Sequence, residues 1–72
     1  MKKDLPILDL HGVYYVEVEN TLSNFFFWDD HKEGIIITGN SYDMRKLVTE
    51  WLEGYDFLYY IEPHNQGRII VK

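Results

Sequence analysis

Leu8-Asp9-Leu10-His11-Gly12 reads as the end of a β-strand running into a turn. Residues two apart in a strand point to the same face. The spacing therefore predicts Asp9 and His11 on one side, with Leu8 and Leu10 on the other. Gly12 lets the chain turn without the steric penalty a side chain would bring. Working outward, residues 7–10 form the first expected strand, and Pro6 marks either its first residue or a sheet edge.

Beyond Gly12 the hydrophobic period changes. Val18, Leu22, Phe25 and Phe26 recur at three- and four-residue spacings, which predicts an amphipathic helix over about residues 14–27. Val16, Phe27 and Trp28 widen its apolar surface beyond one stripe. Residues 29–34 read as a charged loop in which His31 is solvated. Ile35-Ile36-Ile37 has no polar alternation, as expected of a strand that is covered on both faces or lies centrally. Asn40 and Ser41 suit a helix N-cap, and Asp43 suits the first turn. Met44, Leu47, Val48, Trp51 and Leu52 then fall at i, i+3, i+4, i+7 and i+8, with Gly54 as the stop. Residues 56–61 read as a third strand, Glu62-Pro63-His64-Asn65-Gln66-Gly67 as a turn, and residues 68–71 as a last strand closing a hairpin.

The order is βαβαββ, an α/β chain expected to form an α+β two-layer sandwich. Residues 1–72 make one domain, with 1–6 as an N-terminal tail. Strand–helix–strand units give parallel strands, so the first three strands should point the same way. Their carboxyl ends carry His11-Gly12, Thr38-Gly39-Asn40-Ser41 and Glu62-Pro63-His64-Asn65. Most residues capable of chemistry thus collect on one rim, where open α/β sheets bind ligands.

Composition narrows the classes. The chain is 46% hydrophobic and 17% aromatic, enough for a small core, and contains no cysteine. Neither a disulfide framework nor a thiolate metal site is possible. Asp4 and Pro6 interrupt the N-terminus before an apolar stretch forms, which argues against a signal peptide. Nothing approaches the length of a membrane span, so a cytoplasmic protein without membrane association is expected. Twelve acids against seven bases give a net charge of −5, which suits a general nucleic-acid coat poorly, because such binding rests on Lys and Arg contacts to phosphate.

Taken together, Leu8-Asp9-Leu10-His11-Gly12, the amphipathic helix, the hydrophobic strand ending in Thr38-Gly39, the helix with Arg45 near its start, Phe57 and Tyr60, and a closing Gly67-x-Ile69-x-Val71 strand resemble the Smr (small MutS-related) domain. The likeness runs from about Leu8 to Val71. It implies a mixed four-stranded sheet, with both helices on one face and the last strand antiparallel between the second and third. It also implies association with nucleic acid, RNA ahead of DNA, and nicking or endonuclease activity in which Asp9 and His11 take part and Thr38 and Gly39 form a second motif. Longer members follow Thr-Gly with a basic, glycine-rich loop. Here Asn40-Ser41-Tyr42-Asp43 stands in its place, as in a short standalone variant, which weakens any cradle for phosphate.

Two readings of each motif stay open. Asp9 and His11 are either an acid–base pair for metal-independent phosphodiester cleavage, or a carboxylate accepting backbone N–H groups and a strand terminus. Thr38, Gly39, Asn40 and Ser41 either offer a helix N-terminus to phosphate or simply cap it. Arg45, Arg68 and His64 are candidate nucleic-acid contacts. Tyr14, Tyr15 and Tyr42 could stack on bases. No metal or cofactor is called for, since the histidines lack ligand spacing. The alternative is a non-catalytic module that binds or inhibits a protein partner, such as a ribosome or nucleic-acid enzyme, with Phe27 and Trp28 on the partner surface.

Overall fold

A computed structural model describes residues 4–72; residues 1–3 of the predicted tail lie outside the described residues. The elements run β1 (Ile7–Asp9), α1 (Tyr15–Ser23) continuing into a π-helical turn (Asn24–Trp28), β2 (Gly34–Ile37), α2 (Tyr42–Gly54), β3 (Tyr59–Glu62) and β4 (Asn65–Val71). The strands form one mixed sheet in the order β1-β2-β4-β3. β1 pairs with β2 in parallel, and β4 runs antiparallel to both of its neighbours. The first three strands therefore share a direction, and their carboxyl ends share a rim.

Strand alternation divides the sheet into two unlike faces. Leu8, Ile36 and Ile69 lie in line across β1, β2 and β4 and meet the helices, where Ile36 and Ile69 are fully buried with Val18, Leu22, Val48 and Leu52. Each such side chain contributes about 1.5–3 kcal/mol through burial. The neighbouring line, Ile7, Ile35, Ile70 and Tyr60, crosses all four strands in register and belongs to the opposite face, outside the core cluster. β2 is thus central, as its isoleucine run suggests, but only one of its faces is covered.

Four local features depart from the sequence reading. The first is the π-helical turn. The Asp29 N–H donates to the Asn24 carbonyl at 2.8 Å, the i→i+5 bond of a widened helix. Both Phe25 and Phe26 are buried in this turn, and its altered period accommodates them side by side. Phe27 packs beside Trp51, Tyr55 and Phe57. Second, His31 is not fully solvated. It is partly buried, with its ring 4.4 Å from that of Phe25.

Third, the end of α2 does not use its glycine as the left-handed stop. Asp56 takes that conformation (φ 62°), the Phe57 N–H donates to the Leu52 carbonyl, and the Asp56 N–H donates to that of Glu53. This is a Schellman motif with aspartate where glycine is the usual choice. Downstream, the hairpin is tighter than its composition suggests. Only Pro63 and His64 turn, and Asn65, Gln66 and Gly67 already belong to β4.

Candidate functional site: a groove at the rim of the sheet

β1 ends at Asp9, one residue before the predicted limit, and His11 and Gly12 form a turn. Gly12 has φ +83°, the left-handed conformation that a glycine adopts without strain. Asp9 and His11 therefore do not share a strand face. The Asp9 carboxylate instead accepts the backbone N–H of His11 through Oδ1 at 2.9 Å, an Asx-type bond that shapes the turn. The His11 imidazole is left free of the carboxylate and lines a groove on the helix side of the rim.

That groove is open to solvent, with a volume of about 390 Å³ between Leu10, His11, Val13, Tyr14, Thr38 and Ser41 at its walls, and Gly12, Tyr15 and Met44 completing the lining. Leu10, Val13 and Met44 are apolar lining residues that the sequence reading had not assigned to a site. Tyr14 stands 75% exposed at its edge. Tyr15 is tied across it, its hydroxyl sharing a hydrogen bond with Ser41 Oγ at 3.2 Å. Ser41 is the N-cap of α2 and accepts the Met44 N–H through the same oxygen at 3.1 Å. One serine thus joins the starts of both helices at the mouth of the groove. Tyr42, the first residue of α2, is exposed beside it in the chain.

Thr38 and Gly39 build the floor of the rim. Thr38 is 5% exposed, and its Oγ1 donates to the Gly67 carbonyl at 3.3 Å. The backbone N–H groups of Thr38 and Gly39 both donate to that same carbonyl, at 2.8 and 3.0 Å. Gly39 adopts φ +66°, and the Thr-Gly pair clamps β2 to β4 as well as opening the turn into α2. Asn40 follows in that turn, exposed to solvent.

The basic candidates separate. Arg45 reaches from the first turns of α2 to the hairpin, where Nη1 donates to the Gln66 carbonyl at 3.0 Å. Arg68 lies in line with Ile37, on the uncovered face of the sheet, and Glu62 holds it through Nε at 2.8 Å and Nη2 at 2.6 Å. His64 is exposed, with Nε2 3.9 Å from the other Glu62 oxygen. The structure therefore brings His11, Thr38 and Ser41 together and places Arg68 and His64 around an acid elsewhere. Phe27 and Trp28 lie in the π-helical turn, with Trp28 85% exposed. Among the described residues no three His, Asp or Glu side chains converge on a common point, and no helix is long and apolar enough to cross a membrane.

Comparison with protein-family models, curated proteins and solved structures finds no match to the chain. The resemblance to the Smr domain therefore stands on its motifs alone.

Proposed function

We propose that the chain is a minimal Smr-like domain that acts in the cytoplasm and holds single-stranded nucleic acid, RNA ahead of DNA, in the rim groove. The observation that carries this reading is the placement of an imidazole among exposed tyrosines. His11, Tyr14 and Tyr15 share one groove. Aromatic faces bind unpaired bases at about 1–3 kcal/mol each without needing cations, which suits a chain of net charge −5. Of the basic candidates, Arg45 lies nearest the start of α2, and that helix N-terminus adds a favourable dipole for phosphate.

In this reading His11 moves the proton in a metal-independent phosphodiester cleavage, with the ribose 2′-hydroxyl as nucleophile. Imidazole suits proton transfer near neutral pH. Asp9 sets the turn that aims the ring and transfers no proton itself. The test is cleavage of end-labelled single-stranded RNA and DNA in EDTA by wild type and by His11→Ala. Cleavage of RNA by wild type alone supports the reading. Equal cleavage by both, or by neither, removes His11 from catalysis.

The exposed Trp28, next in the chain to Phe27, whose ring packs against Tyr55, favours the second reading, a non-catalytic module that docks on a protein partner such as a ribosome-associated factor. It predicts that Trp28→Ala abolishes partner capture while RNA binding is weak or absent in wild type.

A further inference from the structure

A second groove runs between the two helices, and every residue lining it is helical. α1 supplies Tyr15 and Glu19, and α2 supplies Asp43, Leu47, Glu50 and Trp51. It comprises two adjoining hollows, of about 410 Å³ and about 230 Å³, that share Leu47 and Glu50. Leu47 falls on the apolar repeat of α2. Met44, Val48, Trp51 and Leu52 of that repeat are buried, whereas Leu47 stays partly exposed in the groove.

The borders of the groove are acidic. Glu19, Asp43 and Glu50 are all exposed, and Lys46 is the single base among the lining residues. Among the described residues the ion pairs form elsewhere, between Lys32 and Asp30 and around Glu62. Lys46 precedes Glu50 by one helical turn, the less favourable order for such a pair. Three carboxylates thus border an apolar strip with one lysine between them.

We infer that this groove docks a basic amphipathic helix of a protein partner. Its leucine-type stripe fills the hollows at Leu47 and Trp51, and its Lys or Arg side chains lie over Glu19, Asp43 and Glu50. Charge complementarity sets the sign of the partner, and the shape of the groove sets its conformation. Both walls are helices, whose backbone groups bond within themselves, so the groove offers no strand edge to extend. An amphipathic helix brings its own backbone bonds and needs only a hollow for each anchor. From Asp43 to Trp51 the groove runs about 12 Å at 1.5 Å per residue. That length holds about two turns of the partner, with anchors at i, i+3 or i+4, and i+7. Tyr15 lines this groove and the rim groove alike, so the partner abuts the rim without filling it. The inference stands apart from the nucleic-acid reading and from docking at Trp28.

Fluorescence anisotropy of a labelled leucine–lysine peptide, titrated with the full chain, tests it. The peptide carries leucine at i, i+3, i+4 and i+7 and lysine elsewhere. A second has the same composition in scrambled order, and a third has glutamate for lysine. Wild type should bind the first, and the other two at least about tenfold more weakly. Binding of the first should weaken severalfold between about 50 mM and about 300 mM salt, as screening shortens the reach of the carboxylates. Glu19→Lys combined with Glu50→Lys, shown folded by circular dichroism, should weaken it at least about tenfold. Asp29→Lys combined with Glu33→Lys changes the net charge equally but away from the groove. That variant and Trp28→Ala should both stay within about twofold of wild type. No binding of the first peptide would overturn the inference. Equal weakening by the two double variants would overturn it too, since attraction would then follow net charge alone. Equal binding of the scrambled peptide, or loss of binding in Trp28→Ala, would overturn it as well.

Discussion

Asp9 Oδ1 accepts the backbone N–H of His11 at 2.9 Å, and this bond rather than a carboxylate–imidazole contact is what joins the two residues. Asparagine can make the same bond, because its side-chain oxygen accepts equally well. Asp9→Asn should therefore keep both thermal stability and any cleavage activity within about twofold of wild type. Asp9→Ala should lose about 0.5–1.5 kcal/mol of stability, the ordinary worth of such a bond. Denaturant unfolding alongside the cleavage assay measures both. A collapse of activity in Asp9→Asn with stability intact would show that the carboxylate's charge or basicity matters.

Ser41 Oγ serves two helices at once, accepting from the Met44 N–H and bonding the Tyr15 hydroxyl. Ser41→Ala should cost about 1–2 kcal/mol, toward the upper part of the range for a lost N-cap. Tyr15→Phe alone should cost less, because the cap survives. A double-mutant cycle over the two positions reads the coupling directly.

Asp56 holds a left-handed conformation at the end of α2. A β-branched residue tolerates that region poorly, so Asp56→Val should destabilise the fold by about 1–2 kcal/mol. Asp56→Gly should be neutral or slightly stabilising. Equal midpoints for all three proteins in urea would contradict the Schellman assignment.

Tyr59 donates its hydroxyl to the Glu53 carboxylate, and that bond, followed by burial and then the charge of Glu53, raises its pKa above 10.0. The folded state thus holds the Tyr59 proton more tightly than the unfolded chain does. The stabilisation is complete below pH 10 and is lost as the pH climbs through the raised value. Tyr59→Phe should be less stable than wild type at pH 8, and the gap should narrow as the pH rises above 10. Thermal melts across that range check the sign.

Much of the architecture could be read from short-range pattern. The spacing of Met44, Val48, Trp51 and Leu52 put the buried stripe of α2 where it lies, and the βαβαββ order carried the mixed sheet and the shared rim. What escaped depended on longer-range or unusual geometry. The period put Phe25 and Phe26 on the buried stripe, but a 3.6-residue repeat cannot register the π-helical turn that seats them side by side. Gly54 masked the left-handed role of Asp56. The groove was legible as a rim holding His11, Thr38 and Ser41. The removal of Arg68 and His64 from it was not, because Glu62 meets them only through the β3–β4 register.

Binding of single-stranded nucleic acid in the rim groove is open to direct test. Titrating a short unstructured RNA into isotope-labelled protein, with amide shifts followed residue by residue, tests it most directly. Saturable shifts should concentrate at Gly12, Tyr14, Tyr15, Ser41 and Tyr42, with Ile35, Ile70 and Trp28 unmoved. An RNA that leaves the groove amides in place, or perturbs only the π-helical turn or the bare sheet face, would contradict it.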